Sequence, residues 1–476
     1  MKIKSTKTII IAAALLVTGS FSASGQSELY DLKAKMKVME QMMQQMQQKI
    51  TDLEQQRLVP APTTASSTGE VTHVTLAPAP REVVGHASPI ENRPSLNNQQ
   101  EGAPRPKDYT LDPQYRGFFP IPNTPALIKF NAKPRVDMTS DSRNSGNNDR
   151  FATATIPVKG QADYGGSEQF NINARGSQLS VDVRAPDMAG DFRFFYQNDF
   201  FGSGGGMAYR LKHMYGQIYN FTAGFTYSCF EDPDAWPDTV DYEGPNSVIF
   251  ARRALGRYML EISDAWQMNF GVEAPSAEID ENTAAGSVRG VNSWPDATMN
   301  VRWENAKWGH VQLGSVARGI GARGTGVGNQ SVFGWGFNLA SSINVWKKDS
   351  AQAQLTYGEG IFRYMNDDFI NNDAAFDTDG DLKPIPVFGA MAGYTHHWND
   401  AFRSTATFGF INLENEPSQG PDAYDKTYYG SLNLVWQLRK HLSVGFEGLY
   451  GKKETQDGRS GDVWRAQVGM VYSLFD

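Results

Sequence analysis

Glu231, Asp232, Asp234, Asp238, Asp241 and Glu243 crowd into residues 230–246, a long connection between stretches of alternating sequence. Facing that acidic segment, Arg193, Arg210, Lys212, Arg253, Arg257, Arg302, Arg318, Arg403 and Arg465 recur in the polar phase of those alternating stretches. Acids on a loop opposite cations on a wall create a transverse field, which orients dipolar solutes and gathers anions on the cationic side. Arginine suits carboxylates because its planar fork reaches both oxygens at once. Each arginine can equally be a solvated or carboxylate-paired residue of a polar interior. Arg252 and Arg253 are adjacent, so a regular strand turns only one of them to that side.

Other chemistry finds little support. Gly319-Ile320-Gly321-Ala322-Arg323-Gly324 matches a dinucleotide fingerprint, yet no amphipathic helix follows to cradle a pyrophosphate, and an exposed loop is expected. Asp377, Asp379 and Asp381 resemble the start of a calcium loop, but Gly380 is misplaced and Phe388 stands where the closing Glu belongs. His396 and His397 are neighbours on a strand, so their rings point apart and cannot chelate one ion. Cys229 is the single cysteine, which excludes an intramolecular disulfide or a multi-cysteine zinc site. It is expected to be buried at a strand end. No Gly-x-Ser-x-Gly elbow occurs. The sequence offers no metal site, no cofactor site and no catalytic constellation, and an enzyme is not expected.

The chain of 476 residues has a net charge of −8, which argues against a nucleic-acid partner. Only 20% of residues are charged while 12% are aromatic, so the polarity comes from Asn, Gln, Ser, Thr and Gly. Lys2, Lys4 and Lys7, the apolar run 8–17 and the small residues Ala23-Ser24-Gly25 predict a signal peptide over 1–25. Leu29, Leu32, Met36, Met39, Met43, Met46, Ile50 and Leu53 keep alternating spacings of three and four, which predicts a coiled-coil helix over 26–58. Methionine at four of these positions specifies oligomer order poorly. Residues 59–108, rich in Pro, Ala, Thr, Ser and Asn, read as a linker.

From residue 109 to 476 the period is two, with aromatic residues in the apolar phase, as in Trp266-Gln267-Met268-Asn269-Phe270. Strands are expected near Leu127 and over 168–185, 191–200, 209–219, 221–228, 248–260 and 265–273, with nine more ending at 463–475. That makes about 16 strands at roughly 22 residues each with their connections. No stretch past residue 25 is apolar enough for a spanning helix, so a membrane-embedded chain would cross with strands. Short turns such as 186–190 and 439–440 alternate with longer polar segments. The pattern fits an all-β, 16-stranded antiparallel transmembrane barrel preceded by a short α-helical coiled coil.

Several segments resemble the DcaP-type outer-membrane porins of Gram-negative bacteria: Asn173-Ala174-Arg175-Gly176-Ser177-Gln178, Asp241-Tyr242-Glu243-Gly244-Pro245, and Tyr357-Gly358-Glu359-Gly360-Ile361 with Arg363-Tyr364. His397-Trp398, Arg403-Ser404 and the closing stretch 464–475 fit as well. The resemblance implies a homotrimeric porin of the bacterial outer membrane, whose coiled coil assembles in the periplasm and offers a cell-wall contact. Its surroundings would be outer-membrane lipid and lipopolysaccharide, and its cargo small anionic or polar solutes diffusing passively, (di)carboxylates among them. Gln178 departs from the arginine usual in such strands, and the chain ends on Asp476 rather than on the aromatic Phe475. Two other readings remain: a barrel-anchored protein that tethers the envelope through its coiled coil, and an outer-membrane enzyme with an unfamiliar site.

Overall fold

The computed structural model describes residues 117–185, 192–370 and 372–474. The predicted signal peptide, coiled coil and linker, and the turn expected at 186–190, lie outside the described residues. Among the described residues, twenty strands join one sheet and three short ones form a second. The chain enters through β1 (Phe119–Pro120), β2 (Leu127–Lys133) and β3 (Arg135–Asp141), then β4 (Gln169–Asn173), β5 (Gln178–Ala185), β6 (Phe192–Asp199), β7 (Arg210–Ile218) and β8 (Phe221–Tyr227). It continues through β9 (Arg252–Ser263), β10 (Trp266–Glu273), β11 (Ile279–Asp280), β12 (Val288–Val291), β13 (Asp296–Asn305), β14 (Gly309–Gly324), β15 (Gly328–Asn344) and β16 (Ser350–Glu359). The last are β17 (Ala374–Phe376), β18 (Leu382–Pro384), β19 (Pro386–His397), β20 (Phe402–Leu413), β21 (Tyr424–Arg439), β22 (Leu442–Thr455) and β23 (Ser460–Tyr472).

Every ladder of the large sheet is antiparallel. From β5 the pairing runs through β6, β7, β8, β9, β10, β13, β14, β15 and β16, and then through β19 to β23. β23 pairs with β3, and β3 directly follows β2, the other partner of β5. Connections are short at one end of the strands, as at 219–220, 264–265 and 440–441, and long at the other, as at 142–168, 228–251 and 360–385.

The sheet is inverted relative to a water-soluble one. On β21, Leu432, Leu434 and Trp436 are exposed while Asn433 is buried; on β23, Trp464 and Met470 are exposed while Arg465 and Gln467 are buried. Burying charge and exposing aromatics is stable only where the outer medium is apolar. Exposed aromatics collect toward the strand ends: Trp266, Trp308, Trp346, Trp398 and Trp436 beside the short turns, and Tyr357, Phe388 and Trp464 toward the long ones. Phe402 stacks on Trp436 at 5.8 Å, and Tyr450 meets Trp464 at 4.7 Å.

Three sequence expectations change. Residues 319–324 do not form an exposed loop but complete β14, paired on one side with β12 and β15 on the other. The strand expected at 248–260 begins at Arg252, because 248–251 belong to the segment that folds inward. The stretch 168–185 is broken by a turn in which Ser177 N–H donates to the Ala174 carbonyl at 3.0 Å. Asp377, Asp379 and Asp381 form the turn of the small sheet, where the Asp377 carboxylate accepts both the Asp379 and Asp381 amides at 2.9 Å.

The ladder between the first and last parts of the chain is testable. Met138 faces Val468 across β3 and β23, at the ~5 Å Cβ spacing of a directly opposed pair. With both replaced by cysteine and Cys229 changed to Ser, oxidation should link them efficiently, read as a cross-linked peptide by mass spectrometry. Met138→Cys with Leu432→Cys should give no link.

Candidate functional site

Residues 228–251 leave β8 and turn onto the polar face of the sheet instead of extending beyond it. Backbone groups laid there lose water and need partners, and strand side chains supply them all along the segment. Asn300 Nδ2 donates to the Cys229 carbonyl at 2.7 Å, Asn338 Nδ2 to that of Phe230 at 3.1 Å, and Gln312 Nε2 to that of Glu231 at 2.9 Å. Asn433 Nδ2 donates to the Asp238 carbonyl at 2.7 Å and Gln354 Nε2 to that of Ser247 at 3.0 Å, while Arg135 reaches the Val240 carbonyl. Carboxylates receive the amides: Glu273 that of Cys229 at 2.9 Å, Glu447 that of Asp241 at 2.6 Å, and Glu231 that of Ala251 at 2.8 Å. The contacts extend from β3 through β10 and β15 to β23.

Glycines make the room. A Cβ on Gly314 would meet the Phe230 carbonyl oxygen at 2.7 Å, one on Gly393 the Pro237 ring at 2.8 Å, and one on Gly409 the Asn246 Oδ1 at 2.2 Å. All three lie on the face against which the segment packs.

The predicted acids are spent largely on fastening. Arg302 grips Asp232 at 3.1 Å and Asp234 at 3.0 Å, with His310 Nε2 2.8 Å from Asp232. Burial opposes ionisation of Asp232, but His310 and Arg302 hold its carboxyl below the usual range. Arg403 meets Asp238 at 2.6 Å, and Glu243 meets Arg150 at 2.8 Å. Burial raises the Glu231 carboxyl well above its ordinary range and pushes the Cys229 thiol up to about 12, so the thiol stays protonated. Asp241 accepts the Phe151 amide at 3.1 Å and that of Gly244 at 3.0 Å.

The predicted basic residues divide into two sets. Arg193 pairs with Asp182 at 3.1 Å, Arg210 with Asp199 at 2.6 Å, Arg318 with Asp373 at 2.7 Å and Arg465 with Asp141 at 2.6 Å. With Arg302 and Arg403 these are neutralised on site. Lys212, Arg253 and Arg257 form no ion pair with a described carboxylate. Lys212 Nζ lies 3.1 Å from the Tyr242 hydroxyl and Arg253 Nη2 donates to the Arg363 carbonyl at 2.9 Å. Arg257 keeps both Nε and Nη2 without a hydrogen-bond partner among the described residues. Arg252 joins this set: its guanidinium lies 4.8 Å from the Phe250 ring and 6.0 Å from that of Tyr227. Both neighbouring arginines reach the polar side because Arg252 sits at the very start of β9, where alternation is not yet enforced.

Sequence reading missed three contributors. A bulge between Gln197 and Asn198 shifts the register of β6 against β7, so His213 is buried beside Lys212. Tyr242 stacks on Phe201 at 4.8 Å and donates to Asp199 at 2.8 Å, while Gln178, the departure from the usual arginine, donates to the Tyr242 hydroxyl at 3.0 Å. The third is a second infolded segment before β17. There Tyr364 offers its carbonyl to the Phe250 amide, and Asn366 donates its amide to the Val248 carbonyl. The signal available in the sequence was inward-phase glycine facing a connection too long for a turn.

The polar face thus carries a loop fastened to strands all round it. A family model for the DcaP outer membrane protein matches residues 92–473. The chain belongs to that family. Its fold is similar to the outer membrane channel DcaP of Acinetobacter baumannii, with 17% identity and a TM-score of 0.67 over 75% of this chain and 99% of that one. It is also similar to the anion-selective porin from Comamonas acidovorans, with 10% identity and a TM-score of 0.51 over 73% of this chain and 100% of that one. No curated protein matches the chain. Membership in the DcaP family points to an outer-membrane protein rather than an enzyme.

Arg302 gives a direct test of the fastening. Arg302→Met leaves Asp232 and Asp234 buried without the guanidinium that grips both, so unfolding in denaturant should show a loss of about 3–5 kcal/mol. Replacing all three charged residues with Met and Leu should recover most of that loss.

Proposed function

We propose that the protein is a porin whose sheet closes into a 16-stranded barrel, with residues 230–246 as the constriction and passive diffusion of small hydrophilic solutes as its function. The strand ladders support closure. Taking β2 with β3 and β4 with β5 as one crossing each, β6 to β10, β13 to β16 and β19 to β23 complete sixteen. The observation that carries the reading is the segment 228–251 itself: side chains from β3, β13, β20 and β22 all reach it, which supports a sheet curved round on itself.

Anion preference, including (di)carboxylates, follows from the charges left over. The loop acids are engaged by wall cations or backbone amides, whereas Lys212, Arg252, Arg253 and Arg257 hold no described carboxylate. Arg252 Nη1, Arg253 Nε and two nitrogens of Arg257 lack hydrogen-bond partners among the described residues. A fork with unused donors in water-poor surroundings is the chemistry that recognises a carboxylate. No cofactor is required. The assembly proposed is a homotrimer in outer-membrane lipid and lipopolysaccharide, with the signal peptide over 1–25 removed. The coiled coil over 26–58 would sit in the periplasm, within reach of the cell wall, joined by the linker 59–108 to the barrel over 109–476. The seam Leu29 to Leu53 supports that assembly.

In a planar bilayer under a salt gradient, the reversal potential should report anion selectivity. Arg257→Ala and Arg252→Ala should each move it toward zero, while Arg193→Ala, whose charge is matched by Asp182, should move it much less. Cation selectivity of the unaltered protein would refute the anion reading. Removing the residues before Asp108 should leave single-channel conductance intact and weaken the trimer in mild detergent.

A further inference from the structure

We infer that Arg289 and Arg323 form a binding site for a phosphomonoester of lipopolysaccharide on the outer, lipid-facing side of the sheet. The inference rests on the membrane-spanning barrel proposed above, with its long connections on the outer side of the membrane. β12 lies along the far end of β14, and Arg289 stands directly opposite Arg323. Val288 and Ala322, their chain neighbours, are buried in one apolar cluster with Phe376 and Leu382 of the small sheet. Parity therefore turns both arginines to the opposite, outer face, where they are exposed.

The glycines of residues 319–324 set this pair in place. A Cβ on Gly321 would meet the Val291 carbonyl oxygen at 2.5 Å, and one on Gly324 would clash with that of Ser287, so their absence lets β12 come close to β14. A Cβ on Gly319 would clash with Trp294 Nε1, and the indole fills that space on the outer face.

Like charges directly opposite on neighbouring strands, with Cβ atoms ~5 Å apart, weaken a sheet unless an anion joins them. Neither arginine forms an ion pair with a described carboxylate. Arg323 Nε donates to Asn329 Oδ1 at 2.7 Å, which leaves its two terminal nitrogens without partners among the described residues. Arg289 makes no hydrogen bond to a described side chain. Other cations toward the long connections are matched: Lys426 by Asp425 at 3.2 Å, Lys452 by Glu454 at 2.6 Å and Arg459 by Asp457 at 2.5 Å. Two adjacent forks suit a group with three acceptor oxygens and a charge of about −2, which is a phosphomonoester. A phosphodiester headgroup, with a single charge, matches one fork.

The pair also sits at the right height. Gly319, four residues before Arg323, faces Phe333 across β14 and β15. Phe333 and Trp294 are exposed at that level, and Phe337 and Leu339 continue the apolar outer face below them. Four residues rise ~13 Å along a strand, or ~10 Å of height at the tilt of barrel strands. An arginine stem bent toward the membrane brings its fork down to headgroup depth. The acyl chains of the same molecule would lie on Phe333, Phe337 and Leu339. A free phosphate makes no use of that apolar surface, so the occupant is the lipid.

The full-length protein in mild detergent should be titrated with bis-phosphorylated lipid A, its dephosphorylated form, phosphatidylglycerol and inorganic phosphate, with bound molecules counted by native mass spectrometry. Phosphorylated lipid A should bind in preference to the other three. Arg289→Gln with Arg323→Gln should weaken it roughly tenfold or more and leave the dephosphorylated form unaffected. The corresponding pair of Lys substitutions, which keeps the charge and loses the fork, should fall between. Gel migration of the folded form checks assembly of each variant. Equal affinity of the Gln pair and the unaltered protein would overturn the inference, as would equal binding of dephosphorylated lipid A or of phosphatidylglycerol. Displacement of lipid A by inorganic phosphate at a similar concentration would make this a site for a free anion and overturn it too. Thr325→Cys, at the tip between β14 and β15 and combined with Cys229→Ser, should react with an impermeant maleimide on intact cells. If it reacts and the lipid results are negative, the inference alone falls. If it does not react, the outward placement of the long connections fails, and this inference with it.

Discussion

A loop that lies against the polar face of a sheet carries its own unpaired amides and carbonyls into a space with little water, and the need to satisfy them governs the rest of the structure. Secondary structure cannot do it, because the segment 228–251 runs across the strands and has no strand beside it for most of its length. The strands answer with amide and carboxylate side chains. Asn300, Gln312, Asn338, Gln354 and Asn433 supply donors, Glu273 and Glu447 supply acceptors, and the segment's own Glu231 accepts the Ala251 amide. That requirement explains why Asn and Gln recur in the inward phase beside the ions. A carboxamide bonds a backbone group without bringing a charge that must itself be neutralised.

The same constraint explains the small residues. Gly314, Gly393 and Gly409 have no side chain where the loop passes, and a β-carbon at any of them would press into it. Where the loop is acidic, the wall is cationic: Arg302 with Asp232 and Asp234, Arg403 with Asp238. Charge recognition and backbone satisfaction therefore fix the loop along one path. The second infolded segment, through Tyr364 and Asn366, braces its outgoing limb.

In the porin reading proposed above, what remains after this matching is the chemistry offered to a solute. Most arginines of the polar face neutralise a neighbouring carboxylate, so the number of cations says little about selectivity. The unmatched set lies mainly on β9 and β7, where Arg252, Arg253, Arg257 and Lys212 stand against rings, a hydroxyl or a carbonyl. The position of this set depends on where ion pairing failed to occur among the described residues rather than on where basic residues are abundant.

Alternation in the sequence determined the sheet, its apolar aromatic face and its polar face, because side-chain direction in a strand depends only on parity. It placed the acidic connection after the fifth expected strand, and family membership followed from residues that stand together in the chain. Parity failed where the backbone departs from regularity. The bulge at Gln197 and Asn198 turns His213 inward beside Lys212, and the start of β9 turns Arg252 inward beside Arg253. The pairing of charges was not legible either, since Asp232 and Arg302 stand 70 residues apart and Asp241 and Glu447 stand 206 apart. Local pattern decides which way each side chain points. Only the folded chain decides which distant groups meet, because that depends on register, on the path of the loop and on the glycines that leave room for it.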